Sequence, residues 1–310
     1  MRDTTLVHIE TDIGRCEACW NRHSPKKSLY DLWEFRLPFW KIFRFEPHFI
    51  ILKQGDDETG MLPLWQHPEQ KCFYWFGDTG DEMNWQEDNA FWARTDEDVS
   101  LLLKACPRPA VLNLISRTCF ERWHHLIPME PANPKSMLSL SGIRCLDDYL
   151  LSLSKKLRSN LRRDQRAIDA LHPIIARNDP SHFEHLIRLN TAKFASSPLH
   201  NMNTVNAFRD ILRTAGSRGV FDVTILAVKI GDDIAAVDLV FVCNDTSYPL
   251  LCGSDTERFP GIGHYMTLRD IEDALERDLS SIDFAEDAGN DNYKHRLFAT
   301  LPQYRLSLHT

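Results

Sequence analysis

Arg258-Phe259-Pro260-Gly261-Ile262-Gly263 stands between two stretches of different period, and that placement decides the fold. Before it, Ser247 to Cys252 is a short apolar run that reads as a strand. After it, Tyr265, Leu268, Ile271 and Leu275 recur at helical spacing, which predicts a helix opening at about Gly263. A strand that runs through a glycine-rich turn into a helix makes a phosphate cradle. The glycines bring backbone N–H groups close to the oxygens, and the helix N-terminus adds partial positive charge. Arg258 is placed to add a charge-assisted contact. Pyrophosphate is the ligand that suits this pattern.

Upstream, three strands follow one another: Phe221 to Ile230, Ile234 to Cys243, and Ser247 to Cys252. The turns Gly231-Asp232-Asp233 and Asn244-Asp245 are tight and of hairpin composition, so the strands are expected to be antiparallel. Helices are predicted over His182 to Phe194 and Thr204 to Gly216, preceded by a basic helix. In that helix Leu150, Leu153, Leu157 and Leu161 form an apolar stripe, and Lys155, Lys156, Arg158, Arg162, Arg163 and Arg166 take the other faces. Downstream come a short strand, Ser281 to Phe284, a polar loop, a helix starting near Asn292 and a last strand near Gln303 to Leu308. A Rossmann fold would interleave parallel strands with crossover helices from the start, and this order does not. No Gly-Lys-Ser/Thr follows the turn, which excludes a kinase-type P-loop.

The first half has its own helices (Gly14 to His23, Leu32 to Phe45, Asp96 to Ala105, Cys119 to Leu126) and strands (His48 to Lys53, Met61 to Gln66, Lys71 to Phe76, Ala110 to Ile115). Pro128 to Pro134 reads as a linker and Met137 to Leu140 as a bridging strand. The division expected is therefore residues 1–135 and 136–310, in an α+β chain with mixed sheets. A chain of 310 residues with 43% hydrophobic and 26% charged residues has room for two such domains. No run is apolar for long enough to span a bilayer, and the net charge of −8 argues against whole-surface nucleic-acid binding, so DNA is not an expected partner. Eight scattered cysteines in a chain of this size point to reduced thiols and a cytoplasmic setting.

The element order, with an Arg-x-x-Gly-x-Gly turn after the third strand of a meander, resembles the GNAT acyltransferase superfamily. The match falls on Arg258, Gly261 and Gly263; Pro260 departs from it by supplying no N–H. Ser154-Lys155-Lys156-Leu157-Arg158-Ser159-Asn160-Leu161-Arg162-Arg163 resembles the first-helix signature of the CelD-like, FemAB-related branch. Ile282-Asp283-Phe284 with Asn292-Tyr293-Lys294 resembles that branch's Asp-Phe … Tyr-Lys segment. The resemblance implies two tandem GNAT-like domains, the N-terminal one degenerate, and the first half indeed has no Arg-x-x-Gly-x-Gly. It implies an N-acyltransferase using acetyl-coenzyme A or another acyl-coenzyme A as co-substrate. The acceptor would be the amine of a small molecule, peptide or sugar. Transfer from charged tRNA, supported by the basic helix but opposed by the acidic total, and a non-catalytic ligand-binding module are the alternatives.

Thioester aminolysis needs donors for the developing oxyanion, a base for the amine's proton and an acid for the departing thiolate. Asp238 lies mid-strand in Ala235-Ala236-Val237-Asp238-Leu239-Val240, where a charge is out of place. It is either the base, with an ionisation raised by burial, or a side chain turned to solvent or to an arginine. The resemblance implies oxyanion donors from the strand around Leu251, a role for Tyr293 beside the coenzyme sulfur, and Asp283 as a second base candidate or an orderer of its loop. Arg258, Phe259, Gly261, Ile262 and Gly263 would line the phosphates, and Lys294 would contact substrate or coenzyme. Cys16, Cys19 and His23 have local metal-ligand spacing, but no second Cys pair follows, so no metal is expected. Acceptor identity, acyl length and oligomeric state are not legible in the sequence.

Overall fold

In a computed structural model, which describes residues 5–81, 85–287 and 294–309, the chain divides into two compact units. The first comprises Met1–Pro134, Asn206–Ile211 and Leu301–Thr310; the second comprises Lys135–Val205 and Leu212–Thr300.

The first unit runs β1 (Leu6–Glu10), α1 (Ile13–His23), α2 (Trp33–Phe43), β2 (Glu46–Gln54), β3 (Asp57–Gln66), β4 (Phe73–Trp75), β5 (Trp92–Ala93), α3 (Asp96–Ala105), β6 (Ala110–Ile115), α4 (Arg117–Trp123) and β7 (Glu130–Pro131). The chain then runs β8 (Lys135–Ser139), α5 (Leu146–Ser152), α6 (Lys155–Asp169), β9 (Ile174–Arg177), α7 (His182–Lys193), α8 (Met202–Arg218, its middle counted with the first unit), β10 (Asp222–Ile230), β11 (Asp233–Cys243), β12 (Thr246–Ser254), α9 (Ile262–Glu276), β13 (Ser281–Glu286), α10 (Lys294–Leu297) and β14 (Ala299–Leu301). The chain ends on β15 (Tyr304–Leu308).

The two sheets share one topology. The first is ordered β1-β2-β3-β4-β6-β15-β7, with β5 beside β3; the second is ordered β9-β10-β11-β12-β13-β8-β14. In each, the first four strands are antiparallel and the next is joined in parallel, β4 to β6 and β12 to β13. Each thus reads strand, helices, antiparallel meander, helix, parallel strand. The chain is α+β, with two halves of like topology.

Several elements differ from expectation, each for a physical reason. β1 and β9 were not foreseen. Both are short edge strands, and Leu6, Val7 and Ile174 are exposed, so neither shows a clean alternation of buried and exposed positions. The basic helix is two helices, although the leucine stripe runs through both. The Leu153 amide closes α5 on the Leu150 carbonyl (3.3 Å), and the Ser154 hydroxyl caps α6 by accepting from the Leu157 amide (3.4 Å). The final strand, expected in the second domain, lies in the first unit. β15 pairs with β6, and Leu306 joins the core of Ile50, Leu62, Trp75, Leu102 and Leu112. The proline-rich linker contains β7, which pairs with β15.

Candidate active site

Three features of the second unit converge on the end of β12. The first is a splay. β12 and β13 are paired only at Thr246↔Ser281 and Ser247↔Ile282. β12 then continues to Ser254 and β13 to Glu286 without further pairing to each other, so among the described residues the β13-side edge of β12 beyond Ser247 has no strand neighbour. The second feature is a bulge. Leu239 pairs with Leu251 but Val240 pairs with Pro249, which leaves Leu250 as an extra residue that bends β12 where the strands part.

The third is the turn. Gly261 caps α9 with φ +92°, a conformation that disfavours any side chain. A Cβ there would lie 2.9 Å from Asp164 Cβ on α6, so the glycine also admits the neighbouring helix. The Phe259 amide donates to the Asp255 carbonyl (3.0 Å), the Ile262 amide to the Phe259 carbonyl (3.0 Å) and the Arg258 amide to Asp255 Oδ1 (3.1 Å). The amides of Gly261 and Gly263 meet no acceptor among the described residues, and no side chain caps the helix. A Cβ at Gly263 would meet only Ser254 Oγ, at 3.8 Å. The corner is therefore open on the Gly263 side. Its available donors are the two glycine amides and the helix terminus, a set that fits a phosphate group.

The side chains around the turn are engaged differently from expectation. Phe259 and Ile262 are core residues, packed with Ile168, Leu226, Tyr265 and Met266, and their amides hold the turn together. Arg258 forms a two-pronged ion pair with Asp233, Nη1–Oδ1 at 3.0 Å. Its guanidinium is thereby tied to the β10–β11 hairpin on an exposed surface.

Asp238 is buried and in register with Cys252. Its partner in register on β10, Leu226, packs against Ile262 and Tyr265, so Asp238 faces the α9 side of the sheet, where Asp270 of α9 is also buried. Burial pushes the Asp238 ionisation up to about 7; Asp270 and the charges of Lys193 and Lys294 oppose that rise. Gly253, one residue on from Cys252, faces the other way. A Cβ there would lie 2.7 Å from the Leu186 carbonyl of α7, so that helix crosses β12 in near-backbone contact. Asn190 of α7 donates to the Cys252 carbonyl (2.7 Å), and Lys193 Nζ to Ser254 Oγ (3.2 Å). Cys252 is exposed.

Asp283 is not brought beside Asp238. Its neighbours Ile282 and Phe284 pack on the α9 side with Leu268 and Ile271, so by alternation Asp283 faces the opposite side. There it forms a buried ion pair with Lys135 (2.5 Å) and accepts from the Ala285 amide (2.9 Å), which orders its own loop. Lys294 Nζ donates to the carbonyls of Phe284 (2.6 Å) and Glu286 (3.2 Å), on the β13 arm of the splay. Tyr293 lies outside the described residues. Cys16 donates to the Glu10 carbonyl, while Cys19 and His23 both meet Glu58, and no cluster able to hold a metal occurs among the described residues.

Sequence reasoning missed Asp270, Asn190, Lys193 and Cys252. Only Asp270 carried a signal. It sits in α9 among Met266, Thr267, Ile271 and Ala274, all buried, so a charge there breaks an otherwise buried surface.

Comparison with known proteins agrees with this architecture. Residues 155–295 match the family described as "Acetyltransferase (GNAT) domain". No curated protein matches the sequence. Among solved structures, FemX aligns with a TM-score of 0.59 and 11% identity, covering 98% of this chain and 97% of its own. L-PGS from Bacillus licheniformis aligns with a TM-score of 0.58 and 10% identity, over 97% of this chain and 92% of its own. A tandem GNAT protein from the clavulanic acid biosynthesis pathway aligns with a TM-score of 0.53 and 8% identity, over 98% of both chains. At such identities the likeness is one of fold. Residues 155–295 are thus similar to a GNAT acetyltransferase domain, and the chain shares its fold with FemX and with the tandem GNAT protein.

Proposed function

We propose that this chain is an acyl-coenzyme A-dependent N-acyltransferase, with acetyl-coenzyme A as donor and an amine of a small molecule, peptide or sugar as acceptor. The observation that carries the reading is the pair of unpartnered amides at Gly261 and Gly263, at the head of α9 and at the end of a strand splayed from its neighbour. The amides would hold the pyrophosphate, and the unpaired edge of β12 around Leu251 would supply donors to the thioester carbonyl. Asp238 would accept the amine's proton, since a carboxyl ionising near neutrality is matched to that task. Arg258 would reach a phosphate only by leaving Asp233, so its share in binding is smaller than its place in the motif implies.

Calorimetry with acetyl-coenzyme A tests the reading. Gly263→Leu fills the open side of the cradle, where a Cβ meets nothing closer than 3.8 Å of the protein's own atoms. It is expected to keep the melting temperature and to lose binding by about tenfold or more, which is about 1.4 kcal/mol. Equal binding by Gly263→Leu and wild type, or none by wild type, sinks the assignment. A second reading, aminoacyl transfer from charged tRNA, has one observation in its favour: α6 presents a row of exposed Lys and Arg residues. It requires tRNA affinity that falls steeply with salt.

A further inference from the structure

We propose that Asn190 of α7 is the positioning residue of the thioester site: it occupies the Cys252 carbonyl, and so leaves the Cys252 amide as the group that β12 offers to the acyl carbonyl. This rests on the transferase reading above.

The direction of each backbone group on β12 follows from its ladder with β11. The Asp255 amide donates to the Ala235 carbonyl (2.9 Å), and the pairs Ala236↔Ser254, Val237↔Gly253, Asp238↔Cys252 and Leu239↔Leu251 continue that register. Along an antiparallel ladder, opposed residues alternate between bonding each other and pointing their backbone groups outward. Asp255 bonds Ala235, so Gly253 bonds Val237 and Leu251 bonds Leu239. The N–H and C=O groups of Cys252 and Ser254 therefore point away from β11. They point to the side from which β13 has parted, where the last paired residues are Ser247 and Ile282. Leu251 spends its own amide on β11.

A carbonyl on that edge opposes the chemistry. The acyl oxygen gains negative charge as the amine attacks, and a carbonyl lone pair beside it repels that charge. Of the two outward-pointing residues, only Cys252 has its carbonyl met by a side-chain donor among the described residues: Asn190 Nδ2 lies 2.7 Å from it. A carbonyl only accepts, so the NH2 group of Asn190 must face it. The Asn190 oxygen then faces Ser197, whose hydroxyl donates to it, and Ser197 Oγ accepts in turn from the Leu199 amide (3.1 Å). Asn190 and Ser197 are 7% and 6% exposed, so water competes little for either contact. The approach depends on Gly253. A Cβ there would lie 3.2 Å from the Asn190 amide nitrogen and 2.7 Å from the Leu186 carbonyl. No bond or proton passes through Asn190. It fixes the edge and cancels the carbonyl's partial charge, and the Cys252 amide makes the contact.

Isotope-edited infrared spectra of the full-length protein, with acetyl-coenzyme A labelled with 13C at the thioester carbonyl, test this without an acceptor. A hydrogen bond weakens a C=O bond, so in wild type the bound thioester band is expected below the free one. Asn190→Ala is expected to return the band toward the free position, with calorimetric affinity for acetyl-coenzyme A within about threefold of wild type. If that variant fails to fold, Ser197→Ala, which leaves Asn190 unheld, is expected to move the band the same way. A band that does not shift on binding to wild type, or shifts equally in the variants, overturns the proposal and leaves the transferase standing. Turnover gives a second readout, as thiol release over a panel of polyamines, amino sugars and peptides. Asn190→Ala is expected to lower kcat about tenfold with the KM for acetyl-coenzyme A unchanged. An unaltered kcat, or a change in KM alone, overturns the proposal. No binding by wild type, or no acetylation of any amine on the panel, removes the transferase reading and the positioning role with it.

Discussion

At Gly261 a single residue answers two demands, and neither concerns a ligand. The backbone takes φ +92°, and Asp164 of α6 stands where a Cβ would go. Gly261→Ala should therefore destabilise the protein by about 1–2 kcal/mol from the backbone alone, with the steric contact adding to it, as urea titration would show. Gly263, two residues on, is under no such constraint: a Cβ there would make only an ordinary contact with Ser254 Oγ at 3.8 Å. The two glycines were indistinguishable in the sequence, because what separates them is the position of a helix about a hundred residues earlier in the chain. Asp238 was legible as a charge in an apolar strand, and Asp270 as a charge in an apolar helix, but not that both are buried, since which helix covers which strand is decided by the tertiary fold. The ionisation of Asp238 near 7 sets the direction of the pH dependence. A base must be unprotonated, so kcat should rise as pH climbs through about 7 and decline below it. Asp238→Asn should cost about 10²- to 10⁴-fold in kcat with acetyl-coenzyme A binding retained by calorimetry.

Among the elements, β12 is the one on which the site depends, and it is held from both sides. Its bulge at Leu250, its two-residue ladder with β13 and the close crossing of α7 at Gly253 together set where its edge is left unpaired. Gly253→Ala should push α7 outward, strain the Asn190–Cys252 hydrogen bond and cost about 1–3 kcal/mol in urea titration, with a further loss of turnover. The meander and α9 were readable because their apolar periods are clean. The bulge and the splay were not, because both are properties of pairing, and a single strand does not record its register. The break between α5 and α6 escaped for the opposite reason: the leucine period is continuous across it, and one serine cap decides the matter.

On the scale of the molecule, the same topology appears twice, yet only the second copy has the turn. In the first unit β4 leads into Phe76 and Gly77 rather than into a helix, and the space beside it is packed with aromatic rings. Trp33 stacks on Phe76 at 4.9 Å, and the buried Arg36 donates to the Phe76 carbonyl at 2.8 Å. All eight tryptophans lie between Trp20 and Trp123, so their fluorescence reports the first unit alone. This makes the role of β15 measurable. Truncation after Leu301 removes the strand beside β6 and the buried Leu306, and should lower the urea midpoint seen by tryptophan fluorescence. An unchanged midpoint would show that β6 tolerates a bare edge.

The sequence alone determined the class of fold, the second-unit meander and the glycine turn that opens α9, since period, turn composition and glycine placement are local properties written in consecutive residues. Only the tertiary structure decided which amides of the turn remain open, that Arg258 is tied to Asp233, that Asp283 belongs to Lys135, and that Asp238 and Asp270 are both buried. Each of these depends on what a distant element brings close, and proximity across a sheet leaves no trace in the order of residues along the chain.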